Sequence, residues 1–438
     1  MDYKETLEYL YNTLPMFQQI GGKALKEGLV NTIALDKHFH HPHKRYKTIH
    51  VGGTNGKGSV SHTLAAILQA AGYRTGLYTS PHLMDFRERI RVNGKPISEN
   101  FIVDFVEQNR SFFEPLCASF FEVTTSMAFK YFADERVDVA VIEVGLGGRL
   151  DCTNVITPDL SVITNVSFDH VQFLGNALDK IAYEKAGIIK QHTPVVIGES
   201  TDETRPVFEQ TARSLEAHLI LAEEEKLLYG ADVAPNGGWI YQSTGFGTFR
   251  GELGGLSQLK NTNTILSAVK ELQHLRYWIE TEHVRKGFSH VAESTGLLGR
   301  WQKLGNNPTV ICDTAHNVAG MSDVVKQLLQ MSYKNLHIVL GFVNDKDVTG
   351  ILSVLPIGAI YYFTKADIPR ALDETELQIL AGKKGLTGIV YPDVVSAVRA
   401  ARRNSLPEDL IFIGGSNFVV ADLLTNCDAL DFDRCSFG

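Results

Sequence analysis

Short, uniformly apolar runs alternate along the chain with stretches whose apolar residues recur every three or four positions, as when strands and helices take turns. Tyr3, Leu7, Leu10, Tyr11 and Leu14 share one helical face before Pro15, which predicts an amphipathic opening helix. A glycine patch and a second helix-like stretch follow. From Thr48 the spacing predicts a strand over Thr48–Gly52, a glycine-rich turn, a helix over Val60–Ala71 and a strand over Thr75–Thr79. A polar loop through Gly94 comes next, then helices over Glu99–Phe113 and Val123–Ala133. The runs Val137–Val144, Leu160–Asn165 and Pro194–Ile197 are apolar on both faces, as parallel strands covered by helices on either side are. Between Glu199 and Gly255 the periodicity weakens and glycines gather, so short antiparallel strands on an irregular edge are expected. Helices return over Asn261–His274 and Thr281–Ser289, and Ala292–Gly299 reads as a connection. Beyond it the alternation restarts, with strands near Val310, Ile338, Tyr361, Ile389 and Ile411 and helices such as Val324–Met331 and Val394–Arg402. The expectation is an α/β protein of two domains: residues 1–293 around a mostly parallel sheet, and a smaller doubly wound unit at 294–438.

Composition narrows the function classes. With 44% apolar and 21% charged residues among 438, the chain is neither disordered nor a small disulfide scaffold. A net charge of −8 supplies no global positive field for a polyanion, so nucleic acid is not expected as the principal partner. The five cysteines are scattered and form no C-x-x-C pair, which predicts reduced thiols in the cytosol. Asp2, Lys4, Glu5 and Glu8 interrupt the first fourteen residues, and no stretch approaches the length of an apolar membrane span. A cytoplasmic protein without membrane attachment is expected. His38, His40, His41 and His43 invite a metal site, but their irregular spacing around Pro42 favours a solvated loop.

The chemistry begins at His50–Ser59, where Gly52, Gly53, Gly56, Lys57, Gly58 and Ser59 lie between a strand and a helix. Backbone N–H groups of such a turn, with the helix N-terminus, cradle phosphate oxygens, and Lys57 adds a point charge. The run is not a literal Walker A sequence, because Val51 stands at its first glycine and Gly58 separates lysine from hydroxyl. Nucleotide phosphates call for magnesium, and three strand ends offer ligands: Ser80, Glu143 and Asp169-His170. Glu143 is the most informative, since a carboxylate in Val-Ala-Val-Ile-Glu-Val is costly to bury without a compensating cation or hydrogen bonds. Read alone, the charged run Arg87, Glu88, Arg89, Arg91 is a solvated surface, and Phe120 and Phe121 are core.

Gly53-Thr54-Asn55-Gly56-Lys57-Gly58-Ser59, Thr79-Ser80-Pro81-His82, Glu143 to Asp151, and Asn165-x-x-x-Asp169-His170 occur in one order that resembles the bacterial folylpolyglutamate synthase and dihydrofolate synthase family. That family is a branch of the Mur-type ATP-dependent ligases. Glu184-Lys185-Ala186-Gly187-Ile188, Gly299-Arg300-Trp301-Gln302 and Asp313-x-Ala315-His316-Asn317 continue the likeness. The resemblance implies a P-loop, Mur-ligase-like ATP-binding domain followed by a Rossmann-like glutamate-ligase domain, with the nucleotide in the cleft between them. It implies that Gly56, Lys57, Gly58 and Ser59 bind ATP phosphates, that Asn261, Arg300 and Asp313 contact ATP, and that Ser80, Glu143 and His170 hold one or two Mg2+ ions. The family's carbamylated lysine falls on Lys185, and His316 stands where a reacting group would be oriented. A pterin would meet Ser119, Phe120, Phe121 and Glu122 together with Leu150, Asp151 and Cys152. Two departures are visible: Ser257 precedes Gln258 where the family commonly has histidine, and Val318 follows Asn317 where proline is usual.

The activity implied is amide ligation. ATP phosphorylates a substrate carboxylate, and the amine of L-glutamate displaces phosphate from the acyl phosphate. The acceptor is dihydropteroate, a reduced folate with its polyglutamates, or both. A peptidoglycan-type Mur ligase and a non-catalytic nucleotide switch stay open as alternatives. With both sets of residues in one chain, a monomer is expected to suffice.

Overall fold

The computed structural model describes residues 1–15, 28–235 and 237–432; the glycine patch at 21–22 and Cys435 lie outside them. The chain forms two compact units. One comprises Met1–His82, Phe86–Glu252 and Gln258–Gly296, the other Leu83–Asp85, Leu253–Ser257 and Leu297–Gly438. The units change at Gly296/Leu297, where the hydrophobic pattern put a boundary at 293/294. The two short segments that join the second unit from within the first carry no pattern of their own.

The first unit is built on eight strands: β1 (Lys47–Gly52), β2 (Thr75–Tyr78), β3 (Ile90–Val92), β4 (Lys95–Pro96), β5 (Val139–Glu143), β6 (Leu160–Ile163), β7 (Val195–Ile197) and β8 (Leu219–Leu221). Their spatial order is β4-β3-β2-β5-β1-β6-β7-β8. From β2 to β8 every pair is parallel, and β3 and β4 add an antiparallel edge. Every residue of β2, β5, β6 and β7 is buried, which accounts for their two-faced apolarity.

Several expectations need correction. The polar loop before Gly94 contains β3, hidden in the sequence because Arg89 and Arg91 alternate with Ile90 and Val92. Those arginines are not a solvated run: Arg89 is 3% and Arg91 1% exposed. Arg91 donates through Nη1 to the Gly94 carbonyl at 2.9 Å, and Arg89 through Nε to His82 Nδ1 at 2.8 Å. Arg87, by contrast, pairs with Glu99 at 3.0 Å on the more exposed side. In the region from Glu199 to Gly255 the antiparallel strands are β9 (Leu228–Val233), β10 (Trp239–Ser243) and β11 (Gly247–Gly251), ordered β11-β10-β9. A helix at Arg205–Ser214 and the parallel strand β8 precede them, and neither is evident in the pattern. Only Phe208 and Ala212 of that helix are buried, so its apolar stripe is faint.

The second unit carries β12 (Gln302–Asn306), β13 (Thr309–Asp313), β14 (Leu336–Leu340), β15 (Ile360–Phe363), β16 (Gly388–Val390) and β17 (Leu410–Gly414), in the order β12-β13-β17-β14-β15-β16. All pairs are parallel except β12 with β13. The sequence hides β12 because only Leu304 of its five residues is buried. Cys152 and Cys312 are free thiols. Among the described residues no helix is long and apolar enough to cross a membrane.

Candidate active site

Neighbouring strands lie about 4.8 Å apart, so the order β2-β5-β1-β6 sets the segments that follow each strand side by side at one edge of the sheet. Ser80 follows β2, Glu143 ends β5, the glycine turn follows β1, and Asp169-His170 follows β6. Residues drawn from 120 positions of sequence thus share the carboxyl edge of four adjacent strands.

The glycine turn has a conformation that only glycine tolerates. Gly53 has φ +135°, and a Cβ there would stand 1.9 Å from Thr164 Oγ1. Gly56 has φ +84°, and its Cβ would stand 2.2 Å from Asn261 Oδ1. The helix Lys57–Ala70 starts directly after Gly56, and among the described residues no side chain caps it. A helix N-terminus of this kind attracts an anion through its first-turn N–H groups. Lys57 Nζ donates to the carbonyls of Gly53 at 3.1 Å and Thr54 at 3.0 Å, so the cation lies over its own loop. Ser59 is buried, and its Oγ accepts from Gln258 Nε2 at 3.2 Å; Gln258 Oε1 in turn accepts from Asn261 Nδ2 at 3.1 Å. The residue beside the family departure at Ser257 therefore couples Ser59 to Asn261.

Lys185 lies near the end of the helix Leu178–Ala186, only 3% exposed, with Nζ donating to the Gly53 carbonyl at 2.9 Å. Burial, then the charge of Lys57, push its pKa down to about 7, against the opposing pull of Asp169 and Asp151. A lysine amine that loses its proton near neutrality is a nucleophile for CO2, so the residue fits the carbamate role. In sequence it looks like any helix lysine; the apolar residues around it are what distinguish it.

Glu143 is 4% exposed, and its Oε2 accepts from the Ser80 N–H at 3.0 Å. The structure thus joins two of the three residues expected to hold magnesium. A buried carboxylate at the strand end beside the phosphate turn suits a hard cation. His170 stands at the start of a short helix after β6, left-handed at φ +50°, with Nε2 3.8 Å from Asp169 Oδ1.

The expected pterin residues divide by structural duty. Ser119 caps the helix Phe120–Asp134, and Glu122 Oε2 accepts from the Ser119 N–H at 2.6 Å, so that carboxylate serves the cap. Phe120 is buried against Phe86, with Arg89 5.1 Å over its ring. Phe121 is partly buried, 5.9 Å from Tyr78, and a Cβ on Gly145 would stand 2.5 Å from its Cζ and 3.1 Å from Asp151 Oδ2. Phe121 and Asp151 are thereby brought together across Gly145. Asp151 holds the loop through the N–H groups of Leu146 at 2.8 Å and Thr153 at 3.0 Å, Leu150 is exposed, and Cys152 is half-buried.

In the second unit Asp313 ends β13 and accepts from the N–H groups of Trp301 at 2.7 Å and Ala315 at 2.8 Å. Desolvation raises its pKa, and the nearby Arg300 opposes that rise. Arg300 donates to Thr314 Oγ1 and to the Gly299 carbonyl. His316 Nδ1 lies 3.0 Å from the Thr314 carbonyl, so Nδ1 carries a proton. Asn317 caps the helix Val318–Gln330 through the Gly320 N–H at 2.9 Å, a role that does not depend on a proline next to it.

Two supports were given no role from sequence: Thr164, and Asn165 of the Asn165-x-x-x-Asp169-His170 motif. Asn165 Oδ1 accepts from the Asn55 N–H at 3.0 Å while its Nδ2 donates to the Asn55 carbonyl at 3.0 Å, and Thr164 Oγ1 donates to that same carbonyl at 2.6 Å. The turn is thus clamped to the end of β6. Asn165→Ala is expected to lower kcat/KM for ATP about 10- to 100-fold, from two lost, partly buried hydrogen bonds that position the turn, with little change in the far-ultraviolet spectrum. Steady-state kinetics with varied ATP checks this.

Residues 51–234 match the Mur ligase middle domain, and residues 299–417 the Mur ligase glutamate ligase domain. The folylpolyglutamate synthase of Lacticaseibacillus casei is 30% identical over 96% of this chain and 97% of its own length. A probable bifunctional folylpolyglutamate synthase/dihydropteroate synthase of Haloferax volcanii is 33% identical over 97% of this chain, which spans 50% of that protein. Escherichia coli FolC, solved with DHPP and ADP, superposes with TM-score 0.83 at 28% identity, covering 98% of this chain and 99% of that one. A bifunctional folylpolyglutamate synthase/dihydrofolate synthase solved with Mn, AMPPNP and L-glutamate bound gives TM-score 0.81 at 29% identity over 98% of both chains. With this coverage, two ligase domains in order and a phosphate turn, buried acid and buried lysine at one sheet edge, the chain belongs to the folylpolyglutamate synthase/dihydrofolate synthase family of Mur-type ATP-dependent ligases.

Proposed function

We propose that this chain adds L-glutamate to dihydropteroate, to a reduced folate or its polyglutamates, or to both, releasing ADP and phosphate. The observation that carries this reading is the convergence of the turn at Gly53–Ser59, Glu143 and Lys185 at the carboxyl edge of one parallel sheet, with Lys57 and Lys185 both donating to the Gly53 carbonyl. In the first step an acceptor carboxylate oxygen bonds to the γ-phosphorus as the bond to ADP breaks. In the second, the glutamate amine attacks the acyl carbon, phosphate leaves, and the amine loses a proton. The N–H groups at Gly56–Ser59 and the Lys57 ammonium stabilise the charge on the transferring group. Ser80, Glu143 and His170 would hold magnesium, which neutralises phosphate charge when bound. Arg300, Asp313 and Asn261 contact ATP, and His316, its Nδ1 held by the Thr314 carbonyl, orients a reacting group. The pterin lies against Phe121 and Leu150, with Ser119, Phe120, Glu122, Asp151 and Cys152 shaping the wall. The enzyme works as a cytoplasmic monomer.

Lys185 acts as a carbamate. Its amine nitrogen bonds to the carbon of CO2, one C=O π bond becomes the carboxylate, and a proton leaves to solvent. Side-by-side assays with dihydropteroate and with tetrahydrofolate test the reading: a product heavier by one glutamyl unit with at least one acceptor is expected, and none with either would overturn it.

A further inference from the structure

We propose that Asp36, His41 and His43 form a binding site for a divalent cation of the zinc class, built from residues that take no part in the ligase chemistry. Asp36 lies on the helix Val30–His38. The chain leaves that helix through His40 and His41, both left-handed at φ +58° and +53°, and Pro42 opens a helical turn, Pro42–Arg45, that contains His43. This reversal gathers positions 36, 41 and 43, so that one ligating atom from each lies within 4.8 Å of the others. The solvated loop expected from the histidine spacing is therefore replaced by a convergent cluster. The sequence spacing looked irregular because a turn, not a regular helix, makes the ligands meet.

The donor atoms suit a small tetrahedral ion. Bonds of about 2.0–2.2 Å put donors roughly 3.3 Å apart around zinc. His43 Nε2 is 3.3 Å from Asp36 Oδ1, at that spacing, whereas His41 Nδ1 is hydrogen-bonded to Oδ2 at 2.5 Å and would exchange that bond for the ion. Oδ1 is buried with no hydrogen-bond partner, although the His43 ring nitrogen faces it. A buried carboxylate oxygen without a donor is unfavourable, and a cation at that point would satisfy it.

The surroundings fix two ligands and leave an opening. His43 is buried, 5.9 Å from the Phe129 ring, whereas His41 is 43% exposed and admits the ion with water as a fourth ligand. Two imidazoles and one carboxylate select zinc and its neighbours over magnesium or calcium, which prefer all-oxygen sets. The neighbouring histidines stay out of the cluster: His38 stacks on Phe112 at 3.8 Å and His40 is exposed. A bound ion would clip the first helices to the turn that leads into β1 and so to the phosphate loop.

The test uses the tag-free full-length chain, with excess Mg2+ and a non-hydrolysable ATP analogue to occupy the nucleotide site, titrated with Co2+ and then with Zn2+. One equivalent of Co2+ is expected to give the visible absorption of a four- or five-coordinate N/O site, and Zn2+ to displace it. His41→Gly is expected to weaken binding by at least about 10-fold, since losing an outer-shell partner alone typically does so. His40→Gly makes the same backbone change one residue away and keeps the site. Zn2+ also raises the melting temperature of the wild type and His40→Gly but not of His41→Gly, which reads binding independently of colour. Absence of a stoichiometric Co2+ band, equal binding by His41→Gly and wild type, or equal loss in His40→Gly would overturn the proposal.

Discussion

Lys57→Ala is expected to reduce kcat/KM by about 10³-fold or more while leaving the fold and melting temperature close to wild type. The side chain makes two hydrogen bonds to carbonyls of its own turn, at Gly53 and Thr54, neither of which anchors a distant element. Its removal takes a positive charge from the position where phosphoryl charge develops. Glu143→Ala should be equally inactive for a different reason, because it empties a buried position at the end of β5 and frees the Ser80 N–H. Steady-state kinetics with a melting curve on each variant checks both. Wild-type-like turnover in either would remove that residue from the mechanism.

The second large effect concerns Lys185. Lys185→Ala is expected to lower kcat by about 10²-fold or more, since the role proposed for it is an anionic ligand created by carbamylation. Wild-type enzyme stripped of CO2 should lose activity in parallel, and bicarbonate should restore it. The pH dependence has a fixed sign. Only the neutral amine reacts with CO2, and the folded pKa lies near about 7. Rescue by bicarbonate should therefore be strong above pH 7 and fade below it as the amine protonates. The same shift acts on stability in CO2-free buffer. Lys185 is protonated in the unfolded chain up to its ordinary value of about 10.5. The native state binds fewer protons between pH 7 and that value, so stability of the wild type relative to Lys185→Met rises with pH across this window. Below pH 7 the disadvantage is at its full size. Activity indifferent to CO2 removal would contradict the carbamate.

Much of this could be read from sequence, and what could not has physical causes. The central strands of the two parallel sheets, such as β5, β6, β14 and β17, announce themselves because they are buried on both faces, whereas β8 does not. Residues that sit on those strands' carboxyl ends, such as Glu143, stand out against the apolar run. Edge strands did not: β3 is interrupted by Arg89 and Arg91, whose burial depends on His82 and Gly94, partners that hydropathy cannot see. Asn165 carried no signal as a clamp, because its role is a two-way bond to the backbone of Asn55, 110 residues earlier. The capping box of Glu122 with Ser119 could have been read from their three-residue spacing, and it stands beside the pterin contact that the family likeness implies for the same residues. The burial of His43 beside Asp36 was hidden for the opposite reason, since two left-handed residues reverse the chain where periodicity shows only irregularity.

The measurement that bears most directly on the ligase reading is coupled release of ADP and phosphate under single omissions. One ADP and one phosphate per glutamate added are expected when ATP, L-glutamate and a pteroate or folate acceptor are all present. Omission of either glutamate or acceptor should reduce release to background. Release of ADP at an unchanged rate without glutamate and acceptor would contradict it.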